Sequence, residues 1–168
     1  MRPDPNDTFR TLYQDHSRNV LGFLVRLCQG NRAEAEDLAQ ETFVAAYEAR
    51  LRYKGFGSPK AWLFGIALRR WRDSRRKRRE ETGTEVSEGT MPAFEPGVLG
   101  AITLEAALDR LDDKARAALL LIGAQGLTYK EAAQVLGEPL GTVKWRVFEA
   151  TRDMRKLLCE SERNENDE

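Results

Sequence analysis

A chain of 168 residues with 41% hydrophobic and 32% charged residues is typical of a globular protein with one ordinary domain or two small ones. No apolar run approaches the roughly 20 residues that a membrane-spanning helix needs, and the first residues lack the apolar core of a secretion signal. We therefore expect no membrane insertion and a cytoplasmic location. The formal net charge is zero, but residues 69–79 hold eight basic side chains and one acid, and residues 80–100 hold five glutamates and no Lys or Arg. A polyanion would contact some segments and avoid others.

The N-terminal part is predicted to form three helices. Apolar residues recur at helical spacing over 9–27 and again over 35–47, and the pair Ser58-Pro59 supplies the N-cap and first-turn signals of a third helix. The second helix places four polar side chains along one side, namely Asp37, Gln40, Glu41 and Glu48. This acidic face is either solvated or paired with a basic partner helix, and composition alone favours the solvated alternative.

The third helix runs into the basic segment, which Trp71 interrupts. Cations can follow a phosphate backbone while bases stack on a neighbouring ring, so this pattern indicates a site for unpaired DNA. The alternative is a preference of cations for a helix C-terminus. Eight basic residues within eleven exceed what that preference requires.

The C-terminal part carries the spacing of a helix-turn-helix. Thr128 and Glu131 form a capping box that starts one helix, Gly137 suits its left-handed end, and Pro139 precedes a second helix that begins near Leu140. The exposed start of this second helix holds hydrogen-bonding and cationic side chains, Thr142, Lys144 and Arg146. Such side chains read base edges and phosphates in the major groove. An ordinary helical hairpin with a solvated polar face is the alternative.

Catalytic and metal-binding patterns are missing from the sequence. It has no Ser/His/Asp or Cys/His set, no phosphate-cradling glycine loop and no metal-spaced cluster, and its one histidine, His16, lies in an apolar stripe. We therefore predict that the protein is not an enzyme and uses no metal and no cofactor.

Three segments in this order resemble the extracytoplasmic-function group of bacterial RNA polymerase sigma factors in the sigma-70 family. They are residues 35–43 (AEDLAQETF), residues 62–67 (WLFGIA) with Asp73, and residues 126–146 with their helix-turn-helix. The resemblance implies an all-α fold of two small helical domains joined by a flexible acidic linker. The implied boundaries are 1–80 for the domain called region 2, 81–100 for the linker, 101–160 for region 4, and 161–168 for a disordered acidic tail.

The resemblance also implies a function and its residues. Region 4 would read the minus-thirty-five element as duplex, and region 2 would capture the melted minus-ten element. The expected minus-ten residues are Lys54, Phe56, Lys60, Arg69, Arg70, Trp71, Arg72, Arg75 and Arg76. The expected minus-thirty-five residues are Thr142, Lys144, Trp145, Arg146 and Arg152. The resemblance also favours a polymerase-binding role for the acidic face of the second helix over the solvated alternative. The expected polymerase-binding residues are Asp37, Leu38, Gln40, Glu41 and Phe43.

The implied partners are promoter DNA, the polymerase core through its largest-subunit clamp coiled coil and its flap, and an anti-sigma factor. Four positions depart from the family pattern, which bears on DNA specificity: Arg69, Trp145, Glu149 and Thr151. Two other functions remain open at this point. One is a stand-alone helix-turn-helix regulator, and the other is a sigma mimic that sequesters an anti-sigma factor.

Overall fold

A computed structural model describes residues 4–53, 57–83 and 103–166, with side chains as far as Cys159. Within these ranges every regular element is helical, which confirms the predicted fold class. Two groups of helices share the chain, one before and one after the predicted linker. The domain boundaries themselves stay a prediction, since residues 84–102, which contain most of that linker, lie outside the described residues.

The first group contains three long helices, α1 (Pro5–Leu27), α2 (Arg32–Ala49) and α3 (Pro59–Thr82), with a 3-10 turn at Arg50–Arg52. Each helix begins where a short polar side chain accepts a hydrogen bond from a first-turn amide, as Ser58 does from Ala61 at 3.1 Å. The three helices pack around fully buried side chains. Among these, the Phe23 and Phe64 rings meet edge to face with their centroids 5.3 Å apart.

The second group contains α4 (Leu104–Asp109), α5 (Asp113–Leu119), a π-helical turn (Leu120–Ala124), α6 (Tyr129–Leu136) and α7 (Leu140–Asn166). The buried residues of α7 are alternately four and three positions apart, so they lie along one side of the helix. Its buried members are Val143, Val147, Ala150 and Met154. These side chains hold α7 against the shorter helices.

The helix-turn-helix forms as its local signals predict. Thr128 and Glu131 complete the capping box, in which the Thr128 hydroxyl accepts from the Glu131 amide at 3.2 Å and the Glu131 carboxylate accepts from the Thr128 amide at 2.9 Å. Gly137 ends α6 at φ 68° and ψ 33°, a left-handed conformation that costs glycine little. The next helix starts at Leu140. These three predictions are confirmed.

Two helices run past boundaries that the resemblance implies. Helix α3 continues to Thr82, where Gly83 at φ 61° ends it, so the helix includes the first two residues of the predicted linker. Helix α7 continues to Asn166, so residues 161–166 of the predicted tail are helical. In both cases the helix extends into a charged sequence. The helices were predicted from apolar stripes, and these segments carry none.

The two groups of helices lie against each other. Helix α3 packs on α6, and the Arg75 guanidinium pairs with the Asp113 carboxylate at 2.9 Å. The Lys60 ammonium donates to the backbone carbonyl of Gln125. The start and the middle of α3 are therefore both tied to the second group.

A buried arginine joins α4 to α5. The Arg116 side chain is 2% exposed and donates to the backbone carbonyls of Leu108, Asp109 and Leu111 at 2.9–3.0 Å. A carboxylate oxygen of Asp113 lies 3.5 Å from the same guanidinium. Because these carbonyls end α4, Arg116 supplies the donors that the helix C-terminus leaves unpaired.

We expect the substitution Arg116→Ala to lower the free energy of unfolding by about 2–4 kcal/mol, since it leaves buried carbonyls without a donor. Urea denaturation followed by circular dichroism measures the change. The control is Arg155→Ala, which truncates an exposed arginine on α7 and should change stability by less than about 0.5 kcal/mol. Equal losses in the two variants would contradict this role.

The carboxylate of Glu131 titrates below its ordinary range. A hydrogen bond from the Ser58 side chain lowers the pKa of Glu131, and the backbone and hydroxyl hydrogen bonds of Thr128 lower it further, against burial, which raises it. Folding therefore favours the ionised form. This contribution to stability is complete above the ordinary value of 4.5 and is lost as the pH falls through the lower folded pKa.

We expect Glu131→Gln to destabilise the protein by roughly 0.5–1 kcal/mol at neutral pH, because the amide keeps the capping geometry without the charge. The gap between variant and parent should close as the pH falls below 4.5. Thermal denaturation across this pH range gives the measurement, with Glu105→Gln, a first-turn glutamate of α4, as the matched control. A gap independent of pH would rule out the proposed titration.

Candidate nucleic-acid interface

The polar face of α2 is open to solvent in the described structure. Four polar side chains are exposed on it: Asp37, Gln40, Glu41 and Glu48. Val44, 59% exposed, lies among them, and Arg70 of α3 borders the same shallow groove. The face therefore combines an apolar centre with carboxylates, which suits a partner helix that has cations around an apolar stripe.

Two residues predicted to bind a partner on this helix point elsewhere. Leu38 is 4% exposed and belongs to the core. Phe43 is half-buried, and its ring lies edge-on to Tyr13 with centroids 4.9 Å apart. Leu38 therefore lies in the core beneath the acidic face, and its predicted contact with the polymerase stays a prediction.

The basic run forms the second half of α3. Arg69, Arg72 and Arg76 are exposed, whereas Arg70 and Arg75 are half-buried. Residues 69, 72 and 76 follow three-residue and four-residue steps and therefore share one side of the helix. This side can follow a polyanionic strand.

Part of the charge on α3 is compensated within the protein. Arg78 pairs with Glu34 of α2 at 2.6 Å, and this contact raises the pKa of Arg78. Arg76 lies 3.6 Å from Asp73 on its own helix. The ion pair to Glu34 fixes the end of the basic run against α2, and the exposed pair with Asp73 can exchange with solvent.

Trp71 is not available to stack on a base. The side chain is 3% exposed, and the Arg75 guanidinium lies 5.4 Å from its ring. The stacking of this ring on unpaired DNA stays a prediction, and the burial of the ring weighs against it. The reason lies in the helical spacing, since Phe64, Ala67 and Trp71 continue one buried stripe. The predicted residues Lys54 and Phe56 lie outside the described residues.

The start of α7 presents a polar and aromatic surface. Lys144 is exposed, Thr142 is half-buried, and the Trp145 side chain is 62% exposed. A large exposed indole is costly in water, so its position at the start of the second helix of the helix-turn-helix indicates a contact surface. Lys144 and Trp145 are consecutive residues, and both are exposed.

Two predicted cations on α7 have acidic partners. The Arg146 guanidinium makes two hydrogen bonds to Glu138 at 3.1 and 3.3 Å, and both side chains are less than one-fifth exposed. Arg152 pairs with Glu149 and with Asp153. The paired fork geometry fixes the orientation of Arg146 at the turn. Arg152 is more exposed and is partly neutralised by residues of its own helix.

Phe148 is an aromatic residue of this surface that was not among the predicted site residues. Phe148 is 65% exposed and lines a groove with Tyr129, Arg152 and Arg155. The available signal was its exclusion from the buried stripe of α7, since positions 143, 147, 150 and 154 face inward. Together with Trp145, one helical turn earlier, Phe148 extends the aromatic surface along the helix.

The described part of the chain holds neither a candidate metal cluster nor a candidate membrane-spanning helix. No group of three or more His, Cys, Asp or Glu residues there is placed to hold a metal ion. Within residues 4–53, 57–83 and 103–166, no helix combines the length and the apolar character that crossing a bilayer requires.

Two family models match the two groups of helices. Residues 12–81 match Sigma-70 region 2, and residues 102–154 match Sigma-70, region 4. The first range contains the acidic face of α2 and the basic run of α3. The second contains the helix-turn-helix.

Curated relatives and a solved structure extend the same likeness over most of the chain. The chain is 36% identical to the ECF RNA polymerase sigma factor EcfG of Rhodopseudomonas palustris, over 77% of this chain and 74% of the relative. It is 34% identical to the ECF RNA polymerase sigma factor SigE of Mycolicibacterium smegmatis, over 88% of this chain and 60% of the relative. The sigma factor RpoE of Bartonella quintana, solved in complex with the anti-sigma factor NepR, aligns with a TM-score of 0.74 and 30% identity, over 89% of this chain and 96% of that one.

Proposed function

Since this chain belongs to the sigma-70 family of RNA polymerase sigma factors, in its extracytoplasmic-function group, we propose that it directs promoter-specific transcription initiation with no catalytic activity of its own. It binds the polymerase core, reads the minus-thirty-five element as duplex and holds the melted minus-ten element. The observation that carries this proposal is the combination, in one chain, of the acidic face of α2, the basic run of α3 and the capped helix-turn-helix.

The polymerase core docks on the acidic face of α2. Asp37, Gln40 and Glu41 are exposed around Val44, which gives an apolar centre with a charged rim. Such a surface fits a basic amphipathic helix, because the rim charges orient the partner while the centre is desolvated. A clamp coiled coil of the largest polymerase subunit supplies a surface of that kind.

The minus-ten strand runs along α3. Arg69, Arg72 and Arg76 offer three cations on one exposed side, and Lys60, Arg70 and Arg75 border it. Each phosphate contact releases counterions, so this side supplies affinity that depends on salt and carries little sequence information. With Trp71 buried, recognition of an unstacked base falls to residues 54–60.

The minus-thirty-five element is read by the start of α7. Lys144 and Trp145 are exposed and Thr142 is half-buried there. We expect Thr142 and Lys144 to contact phosphates and base edges, and Trp145 to contact thymine methyl groups. Glu138 orients the Arg146 guanidinium for a phosphate at the turn. Arg152 adds a further cation, offset by Glu149 and Asp153. The net positive charge around Arg152 is therefore low.

An anti-sigma factor controls the protein. The Bartonella relative that shares its fold was solved with such a factor bound, and the exposed aromatic surface of Trp145 and Phe148 would be covered in a complex of that kind. The proposed site of action is the cytoplasm, because polymerase and promoter DNA are found there.

Transcription in vitro from a library of promoter fragments, with purified core polymerase and this protein, tests the proposal. We expect transcripts that start at defined positions after a shared pair of elements. Neutralising the α2 face with Asp37→Asn and Glu41→Gln should weaken binding to the core about tenfold and reduce transcription accordingly. The matched control is Glu36→Gln, which removes a carboxylate that pairs with Arg32 beside this face.

Two results would refute the proposal. A stand-alone regulator would bind a duplex half-site tightly without polymerase and would start no transcript. A sigma mimic would bind an anti-sigma factor and would neither bind the core nor start a transcript.

We expect Lys144→Ala to lower the affinity of the holoenzyme for its promoter and to reduce the slope of log affinity against log salt by about one unit, because one phosphate contact is lost. Fluorescence anisotropy at several salt concentrations measures both quantities. Lys156→Ala removes an exposed lysine about three turns further along α7 and should leave the slope unchanged. An unaltered slope in Lys144→Ala would place the recognition helix elsewhere.

A further inference from the structure

We propose that region 4 selects its minus-thirty-five element mainly through thymine methyl groups, which the side of α7 at Gly141, Trp145 and Phe148 contacts in the major groove. This inference rests on the proposed function, because it names the chemistry by which the same duplex element is recognised. It adds Gly141 and Phe148 to the reading surface and makes the sequence readout apolar.

Two large apolar side chains share this side of α7. Trp145 is 62% exposed and Phe148 is 65% exposed, and both face away from the buried residues Val143 and Val147. Phe148 lies eight residues after Leu140, where the helix begins, which is about 12 Å along the helix axis. The major groove is about 12 Å wide. Both rings therefore lie within the length of helix that one groove accommodates.

A glycine on the same side leaves room for close approach to DNA. Gly141 lies four residues before Trp145 and seven before Phe148, so the three positions are aligned. A Cβ atom built on Gly141 would point into open space, with no contact from another element of the described chain within 4 Å. Packing therefore does not require glycine here, and glycine is less favourable than alanine within a helix. A backbone without a side chain can approach a ligand closely, which would bring both rings to the base edges.

The cationic side chains beside the rings already have partners. The Arg146 guanidinium donates two hydrogen bonds to the Glu138 carboxylate, and Arg152 donates to Glu149. A base edge would have to displace these carboxylates before either guanidinium could read it, whereas the exposed rings meet no such competition. Of the four bases only thymine presents a methyl group in the major groove. Thymine is therefore the base that such rings distinguish.

Exposed rings can also bind a protein partner, but their position favours DNA. Trp145 and Phe148 lie within the first nine residues of the second helix of the helix-turn-helix, the part of such a helix that enters the major groove. Lys144, next to Trp145, is exposed and adds a cation that suits a phosphate.

Replacing thymine by uracil tests the methyl readout, because the two bases differ only in the methyl group. The DNA is a promoter fragment that the transcription library yields, with uracil in both strands of its minus-thirty-five element. Competition against the unmodified fragment measures its affinity for the holoenzyme. We expect a loss of about fourfold for each methyl group contacted. A fragment with uracil only between the two elements is the control and should bind as the unmodified DNA does.

Two ring variants connect the methyl groups to the protein. Phe148→Ala and Trp145→Ala should each lower the affinity for the thymine fragment about threefold to tenfold and should reduce the loss that uracil causes, since ring and methyl group act as a pair. The slope of log affinity against log salt should not change, in contrast to Lys144→Ala, because no phosphate contact is lost. Leu104→Ala truncates an apolar side chain that is 52% exposed at the start of α4, and as the matched control it should bind both fragments as the parent does.

A third variant tests the close approach of the helix. Gly141→Ala should be at least as stable as the parent in thermal denaturation, because alanine favours the helix, and yet should bind the thymine fragment more weakly, because the added methyl group holds the backbone away from DNA. Parental affinity in this variant would overturn the close approach.

The remaining outcomes separate the readout from the proposed function. No uracil loss in the parent, or an equal loss in the parent and in both ring variants, would overturn the methyl readout. If both ring variants bind the thymine fragment as the parent does, the rings serve a protein partner and the inference fails. Absence of defined transcripts from the parent protein would instead refute the proposed function.

Discussion

The concentration of positive charge on α3 is the constraint on which the rest of the structure depends. Eight cations within eleven residues of one helix repel each other, so the helix is stable only where anions or carbonyl oxygens lie nearby. In the described part of the chain such partners include Glu34 of α2, Asp73 of α3 itself, Asp113 of α5 and the carbonyl of Leu136 at the end of α6. Promoter phosphates would satisfy the same cations. Under the proposed function, protein acids and DNA would therefore compete for one surface, and this competition would link the fold to the function.

Much of the fold could be predicted because its signals are local. Thr128 with Glu131, Gly137, and Ser58 with Pro59 each mark a helix end through a side chain or a backbone angle within a few residues, and each mark holds in the structure. The continuation of α3 to Thr82 and of α7 to Asn166 was not predicted, because no apolar stripe runs through the charged residues there. The role of Arg116 gave no signal at all, since its carbonyl partners are defined only once α4 and α5 have packed.

The sequence predicted which residue types belong to the candidate site, but not which of their side chains are exposed. The sequence places Trp71 in a basic run, but only the packing of α3 on its neighbours buries the ring. Phe148, by contrast, is exposed although it is apolar, because its position lies outside the buried stripe of α7. Likewise the pairs between Arg146 and Glu138, and between Arg75 and Asp113, join residues eight and 38 positions apart. Pairing over such distances depends on tertiary geometry, which spacing along the chain does not encode.

The buried Arg116 has a consequence for how region 4 comes apart. Helices of six and seven residues, the lengths of α4 and α5, are too short to persist alone in water. The Arg116 guanidinium, within α5, donates to the carbonyls at the end of α4. If either helix frays, this buried guanidinium loses its hydrogen-bond partners. Amide protons across this corner should consequently exchange as one cooperative block, and the surface that reads DNA would be either wholly formed or wholly lost.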